Sequence, residues 1–178
     1  MFISNHSFDE DIIATLSQLG CHAYVLIGTT DQLEYNPLMY AAWVNGFVYV
    51  NRLDPISRRE ALPKMERIIN AGSSMLVFGE GGWNNTEHRP SKPQFAGGVS
   101  LAQKTNRKVV LVSSYNEHDS KDIYMSFDDP YDISGIEERT ARRQIANRLG
   151  VMTLEHIFNH ASIIERKSLT GDIHLDYM

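Results

Sequence analysis

Cysteine and long apolar runs are scarce in this 178-residue chain. The single cysteine, Cys21, excludes an intrachain disulfide and is too little for a zinc cluster. The longest apolar runs, such as Met75–Phe78 and Val109–Val112, have the length of a strand, whereas a helix needs ~20 apolar residues to cross a bilayer. The first six residues also lack the charged and then apolar layout of a signal peptide. These absences fit a soluble chain in a reducing compartment.

Positive charge is also limited. Lys and Arg together number 17 against 22 for Asp and Glu, which leaves a net charge of -5. A protein that binds nucleic acid through electrostatics needs a basic face, so we expect no nucleic-acid partner. The composition, 42% hydrophobic and 22% charged, is that of one ordinary globular domain.

Short β-type runs alternate with segments of helical periodicity, which is typical of a layered α/β domain. Turn residues bound each β-type run, and the runs are rich in β-branched, aromatic or apolar residues. Five strands are therefore predicted, at Ala23–Gly28, Gly46–Asn51, Ser73–Phe78, Lys108–Tyr115 and Asp122–Phe127.

Three segments are predicted to be helices. Asp9–Leu19 places its apolar residues on one face and is followed by Gly20, a residue suited to a helix end. A capping box at Ser57–Glu60 predicts the start of a second helix, which Gly72 ends. A further capping box at Ser134–Glu137 predicts the start of a long third helix.

A histidine and an aspartate at the first helix form a candidate catalytic pair. An imidazole held by a carboxylate is a common base for deprotonating a hydroxyl. Five residues along a helix separate two side chains by about 140°. His6 and Asp11 can therefore meet only if His6 lies in the loop before the helix and Asp11 in its first turn. The alternative is that Asp9, Glu10 and Asp11 complement the positive end of the helix dipole, and the two roles are compatible.

Glycines follow the predicted strand at Ser73–Phe78. In Phe78–Gly82 they allow backbone amides to approach a ligand closely or to form a concavity that holds an anion. A plain tight turn is the alternative. Arg52 ends another strand-like run and could reach an anion at the carboxyl end of the sheet, or it could be a surface arginine.

Taken together, these segments resemble the lysophosphatidic-acid-type, or PlsC-type, glycerolipid acyltransferases. The family's first block is Asn-His, four residues and Asp, which matches Asn5–Asp11. Its second block matches Gly46–Arg52, followed by the helix start at Ser57–Glu60. Its third block, Phe-Pro-Glu-Gly-Thr-Arg-Ser, corresponds to Phe78–Asn84, and a downstream Phe with small residues corresponds to Phe95–Ala102. The order and spacing of these blocks agree from about Ile3 to Asp132.

The resemblance implies one three-layer catalytic domain over residues 1–178, with a mixed and mostly parallel central sheet flanked by helices. It implies transfer of a fatty acyl group from acyl-CoA or acyl carrier protein to a lysophospholipid hydroxyl in phospholipid biosynthesis, with no other cofactor and no metal. His6 would be the general base and Asp11 its orienting carboxylate. The residues implied to bind substrate are Arg52, Glu80, Gly81, Gly82, Trp83 and Asn84, with Thr86 beside them at the head-group end.

Some departures from the family concern its phosphate-binding cations. Trp83 stands where the third block has Arg, and Ala96 and Gly97 stand where Lys-Lys often follows the downstream Phe. Arg89 and Lys92 are the cations that could replace them. A phosphate-bearing acceptor is therefore less strongly implied than acyl transfer itself.

Other hypotheses remain open. The chain could be a catalytically silent lipid-binding relative, or an acyltransferase with an acceptor other than lysophosphatidate. A metal hydrolase that uses His6, Asp9, Asp11 and His22 has suitable ligand types but no recognised spacing.

The start of the chain bears on where the protein works. Relatives usually carry an apolar or amphipathic segment before the first block, and here only five residues precede His6. We expect a catalytic domain without this membrane-seating segment, acting peripherally on the cytoplasmic side of a membrane.

Overall fold

The computed structural model describes residues 1–8, 10–28, 40, 43–51, 53–84, 89–116 and 121–160. Strands and helices alternate along most of this length. In chain order they are β1 (Phe2–Ser4), α1 (Asp11–Gln18), β2 (Ala23–Ile27), β3 (Phe47–Tyr49), α2 (Pro55–Asn70), β4 (Ser74–Phe78), α3 (Ala96–Lys104), β5 (Val110–Asn116), β6 (Ile123–Phe127) and α4 (Glu138–His160).

The six strands form one sheet in the order β3-β2-β4-β1-β5-β6. The first five strands in that order run parallel, and β6 pairs antiparallel with β5. This confirms the predicted α/β fold with a mixed, mostly parallel sheet. Parallel strands end at the same edge of a sheet, so the residues that follow β1, β3 and β4 come together at the carboxyl edge.

Helices cover both faces of the sheet and give three layers. Leu16 and Ile12 of α1 pack with Val25 and Phe78 on one face. On the other face, Ile3 and its neighbours pack against α3 and α4, and a second apolar cluster joins α2 to β3 and β4. Burial of these apolar side chains on both faces is the main stabilising contribution to such a fold.

The central strand β1 was not among the five predicted strands. It has only three residues, too few to show a period of two, yet it pairs with both β4 and β5. Helix α3 was not predicted either, because Gly97 and Gly98 lower helix propensity. A Cβ at Gly98 would lie 3.4 Å from Val77, so this glycine lets the helix approach the sheet closely.

Both capping-box predictions were wrong in their cap residue. At α2 the cap is Asp54, whose carboxylate accepts from the amides of Ile56 and Ser57 at 2.9 and 3.2 Å. The Ser57 hydroxyl instead accepts from the Asn51 amide at 2.9 Å. At α4 the Glu137 carboxylate accepts from the amides of the next turn, and the Ser134 amide donates to Asp132. In both cases an acidic side chain close to the first turn outcompetes the serine for the free amides.

No helix in the described part of the chain combines the length and apolarity that crossing a bilayer requires.

Candidate active site

His6 and Asp11 meet at the carboxyl edge of the sheet, as their spacing predicts. The Nδ1 atom of His6 lies 2.9 and 3.1 Å from the two carboxylate oxygens of Asp11. Asp11 is fully buried, whereas the His6 side chain keeps 16% of its surface exposed. The pair thus has a protected end at the carboxylate and an accessible end at the imidazole.

Asp11 also holds the loop that carries His6. Its Oδ2 atom accepts from the amide of Ser7 at 2.9 Å and from that of Phe8 at 3.4 Å. Asp11 is the first residue of α1, where a negative charge complements the helix dipole. The two roles considered for this carboxylate therefore coexist in one group.

The orientation of the His6 ring sets which nitrogen can act. With Nδ1 directed at a carboxylate, the proton belongs on Nδ1 and the lone pair on Nε2. No described residue forms a hydrogen bond to Nε2. The ring packs against Phe78 at 4.7 Å between centroids and meets the edge of Trp83 at 6.1 Å. The unbonded nitrogen is the one that a substrate hydroxyl would reach.

The loop after β4 brings Glu80, Gly81, Gly82 and Trp83 to this edge. The Gly81 amide donates to the Phe78 carbonyl at 3.1 Å, so the start of the loop is a tight turn. Gly81 has a φ of 72°, and a Cβ there would lie 2.2 Å from the ring of Phe95. Glycine is required at this position by both its backbone conformation and its neighbour.

Glu80 points into the protein. It is 2% exposed, and its Oε1 atom accepts from the Lys92 amide at 3.0 Å and from the Ser91 hydroxyl at 2.9 Å. Burial raises the pKa of this carboxyl group above its ordinary value, while the hydrogen bonds from Lys92 and Ser91 lower it. Glu80 therefore fastens the 91–92 segment to the loop after β4.

Trp83, Asn84 and Lys92 extend the site on the side of His6. The Asn84 amide donates to the His6 carbonyl at 2.6 Å, and the Asn84 side chain donates to the Arg89 carbonyl at 2.8 Å. The Lys92 ammonium donates to the Trp83 carbonyl at 2.8 Å. Of the two suggested replacement cations, Lys92 therefore already donates to a backbone carbonyl.

Arg52 and Thr86, which the resemblance implies at the substrate site, lie outside the described residues.

An apolar cavity of about 460 Å³ borders the site between α2 and α3. It was not anticipated from the sequence, because its walls come from segments far apart in the chain. Phe78 belongs to both places, since it lines the cavity and packs on His6. The other lining residues are Leu26, Val50, Arg58, Ala61, Leu62, Met65, Val77, Gly79, Gly81, Phe95, Ala96, Gly97, Gly98 and Ser100.

Two of the suggested metal ligands, His6 and His22, lie at opposite edges of the sheet, and Asp9 lies outside the described residues. His22 precedes β2 and lies at the amino edge of the sheet, whereas His6 follows β1 at the carboxyl edge. A strand of five residues spans roughly 15 Å, so these two histidines cannot share an ion. Within the described ranges, no three His, Cys, Asp or Glu side chains are grouped as metal ligands.

Comparison with solved structures shows the same fold in a known enzyme. The chain is similar to the crystal structure of the 1-acyl-sn-glycerophosphate (LPA) acyltransferase PlsC from Thermotoga maritima, with a TM-score of 0.65 and 17% sequence identity. The match covers 86% of this chain and 64% of that chain, so the present chain corresponds to less than two thirds of the enzyme. At this identity the likeness establishes a shared fold, which agrees with the resemblance seen in the sequence blocks.

No protein-family model matches the sequence, and no curated protein matches it at a significant level.

Proposed function

We propose that this protein is a glycerolipid O-acyltransferase that transfers a fatty acyl group from acyl-CoA or acyl carrier protein to the hydroxyl of a lysophospholipid. The observation that carries the proposal is the His6–Asp11 pair, in which the partly exposed His6 ring packs on Phe78 at the wall of an apolar cavity. The shared fold with an LPA acyltransferase supports the same reaction class.

His6 is the general base of the proposed reaction. Its Nε2 atom takes the proton of the acceptor hydroxyl as the hydroxyl oxygen attacks the thioester carbonyl carbon. Asp11 holds the Nδ1 proton and stabilises the imidazolium that forms. Collapse of the tetrahedral intermediate breaks the carbon-sulfur bond, and the leaving thiolate takes the proton from His6. The reaction needs no covalent enzyme intermediate, because a thioester is already activated.

The loop after β4 supplies candidate donors for the negative oxygen of the intermediate. The Gly81 amide is occupied by its turn, whereas those of Glu80 and Gly82 donate to no backbone carbonyl of a described residue. Backbone amides held in a rigid turn stabilise developing charge effectively, because they need no reorganisation during the reaction. We assign the oxyanion to these two amides.

The apolar cavity is the proposed site for the acyl chain. Its volume of about 460 Å³ lies within the usual range of ligand pockets, and its lining is mostly aliphatic and glycine. A hydrocarbon chain has no polar group of its own that burial there would leave without a partner.

Acceptor recognition is the part of the proposal in which this chain departs from the family. An indole stands at Trp83 in place of an arginine, and Lys92 is bonded to loop carbonyls. We propose Arg52 as the remaining phosphate ligand, with Asn84 and the turn of Glu80 and Gly81 at the head-group end. Plain lysophosphatidate is then not the best acceptor, which a comparison of lysophospholipids with different head groups tests.

A lipid acceptor also implies that the protein acts at a membrane surface. Leu53, Phe95 and Trp83 are exposed by 93%, 62% and 46% near the carboxyl edge. Exposed apolar side chains around a site favour contact with lipid. We propose peripheral association with the cytoplasmic face of a membrane.

The test is release of free thiol from acyl-CoA and from acyl carrier protein in the presence of a panel of lysophospholipids. We expect acceptor-dependent thiol release by the wild type and a loss on the order of 10³-fold or more in His6→Ala. His22→Ala is the matched control, since it removes an exposed histidine at the opposite sheet edge and should keep wild-type turnover. Equal turnover by His6→Ala and the wild type would exclude this mechanism, and lipid binding without thiol release would favour the silent relative.

A further inference from the structure

Asn5, the residue before His6, makes an unusual set of hydrogen bonds. It is 1% exposed and lies directly after β1. Its Oδ1 atom accepts from the amide of Ser114 in β5 at 2.8 Å, and its Nδ2 atom donates to the Ser114 carbonyl at 2.8 Å. The Ser114 hydroxyl adds a weaker bond to Oδ1 at 3.3 Å. One side-chain amide thus pairs with both backbone groups of a residue 109 positions away.

The side chain of Asn5 takes the place of one backbone hydrogen bond between β1 and β5. In a parallel pair, a residue whose amide donates to one strand neighbour normally accepts, through its own carbonyl, from the amide two residues further along that neighbour. The Asn5 amide donates to the Val112 carbonyl at 3.3 Å, so its main-chain carbonyl would be expected to accept from Ser114. The side-chain oxygen takes that amide instead. Because the side-chain amide takes the place of a peptide group, the main chain after Asn5 can leave the hydrogen-bond ladder of the sheet.

The released main chain is the loop that carries the catalytic pair. Nδ2 of Asn5 also donates to the Ser7 hydroxyl at 3.1 Å. The Ser7 amide in turn donates to Asp11 at 2.9 Å, next to the bond from His6. Asn5 therefore connects the rigid centre of the sheet to the turn in which His6 and Asp11 meet.

We propose that Asn5, through its pairing with Ser114, is a positioning residue that ends β1 and sets the geometry of the His6–Asp11 hydrogen bond. The geometric part of this proposal is independent of the reaction, and its catalytic consequence rests on the proposed function. Asn5 needs no contact with substrate to exert this effect.

The decisive measurement is the exchange with solvent of the His6 Nδ1 proton, followed by nuclear magnetic resonance in histidine labelled with ¹⁵N. The signal is assigned by its absence in His6→Ala. We expect a slowly exchanging signal in the wild type, and exchange at least tenfold faster, or loss of the signal, in Asn5→Ala. Where acyl transfer is observed, kcat should fall roughly 10²-fold with KM nearly unchanged, since a positioning defect acts on the transition state.

Ser113→Ala is the matched control. Ser113 is the buried neighbour of Ser114 on β5, and its hydroxyl contacts Thr153 of α4 at 3.1 Å. Loss of that hydroxyl should lower stability without changing exchange of the His6 proton. Faster exchange in Ser113→Ala equal to that in Asn5→Ala would overturn the proposal, because general loosening would then explain both.

A milder variant keeps the proposal testable if Asn5→Ala does not fold. Ser7→Ala removes only the bond between Asn5 and the turn, and exchange should accelerate several-fold. Wild-type exchange in a folded Asn5→Ala, or in Ser7→Ala when the former does not fold, would overturn the proposal. Absence of acyl transfer by the wild type would count against the proposed function alone, since proton exchange reports on the hydrogen bond without any turnover.

Discussion

Two buried or nearly buried histidines on opposite faces of the sheet have contrasting surroundings. His6 bonds through Nδ1 to the carboxylate of Asp11. His156 of α4 lies 3.0 Å through Nε2 from the Ser126 hydroxyl, and its ring lies 6.1 Å from that of His160. A carboxylate stabilises a protonated imidazole, whereas burial and a second imidazole oppose protonation.

The difference separates a histidine bonded to a carboxylate from one packed among aromatic rings. Burial, with a smaller contribution from His160, lowers the pKa of His156 below its ordinary value. The neighbouring Tyr115 and Tyr124 stack with the His156 and His160 rings, so this cluster joins α4 to β5 and β6. Residue type is the same in the two places, and the partner determines what the side chain can do.

The largest expected effect comes from removing the charge that distinguishes the His6 pair. In Asp11→Asn the side chain can still accept from the Ser7 amide, but it no longer stabilises an imidazolium. We expect kcat to fall by roughly 10² to 10⁴ with little change in KM. Steady-state thiol release measures both quantities, and a kcat within fivefold of the wild type would contradict the assignment of Asp11.

The second expected effect is on stability at His156. His156→Ala removes a buried ring and its bond to Ser126, which should lower the free energy of unfolding by about 1 to 3 kcal/mol. We expect kcat to stay within twofold of the wild type, because α4 packs on the face of the sheet opposite α1, which carries Asp11. Denaturant titration and thiol release provide the two measurements. A loss of kcat as large as that in Asp11→Asn would remove the contrast between the two histidines.

The smallest expected effect is a change in the pH dependence of stability. Since the pKa of His156 is lower in the folded chain, the unfolded chain binds the proton first as pH falls. The contribution to stability is therefore full above the ordinary pKa of 6.5 and declines as pH falls below it toward the folded value.

His156→Gln should flatten this decline. Unfolding free energies measured from pH 7.5 to pH 5 test the prediction, with His22→Gln as the exposed control. Identical slopes for His156→Gln and the wild type would show that His156 does not carry the effect.

Much of the site could be predicted because it depends on local spacing. His6 lies in the loop before α1 and Asp11 is its first residue, so five positions of sequence suffice to bring them within 2.9 Å. The glycines after β4 likewise indicate a turn, and Gly81 has the positive φ that such a turn uses. Local sequence determines these features because the chain segment itself supplies both partners.

The features that escaped prediction depend on distant partners. β1 is a strand because β4 and β5 flank it, since three residues alone carry no periodic signal. The family resemblance implies that Glu80 binds substrate, and only the folded chain shows that its carboxyl group is buried against Ser91 and Lys92. Neither outcome could be read from neighbours in the sequence.

The sequence by itself therefore determined the α/β class, most of the helices and strands, and the meeting of His6 with Asp11. Tertiary structure alone decided the central place of β1, the apolar cavity beside Phe78, and the pairing of Asn5 with Ser114 across 109 residues. The physical reason is the range of the interactions. Helix periodicity, caps and turns act within a few residues, whereas burial and sheet pairing depend on which distant segments the folded chain brings into contact.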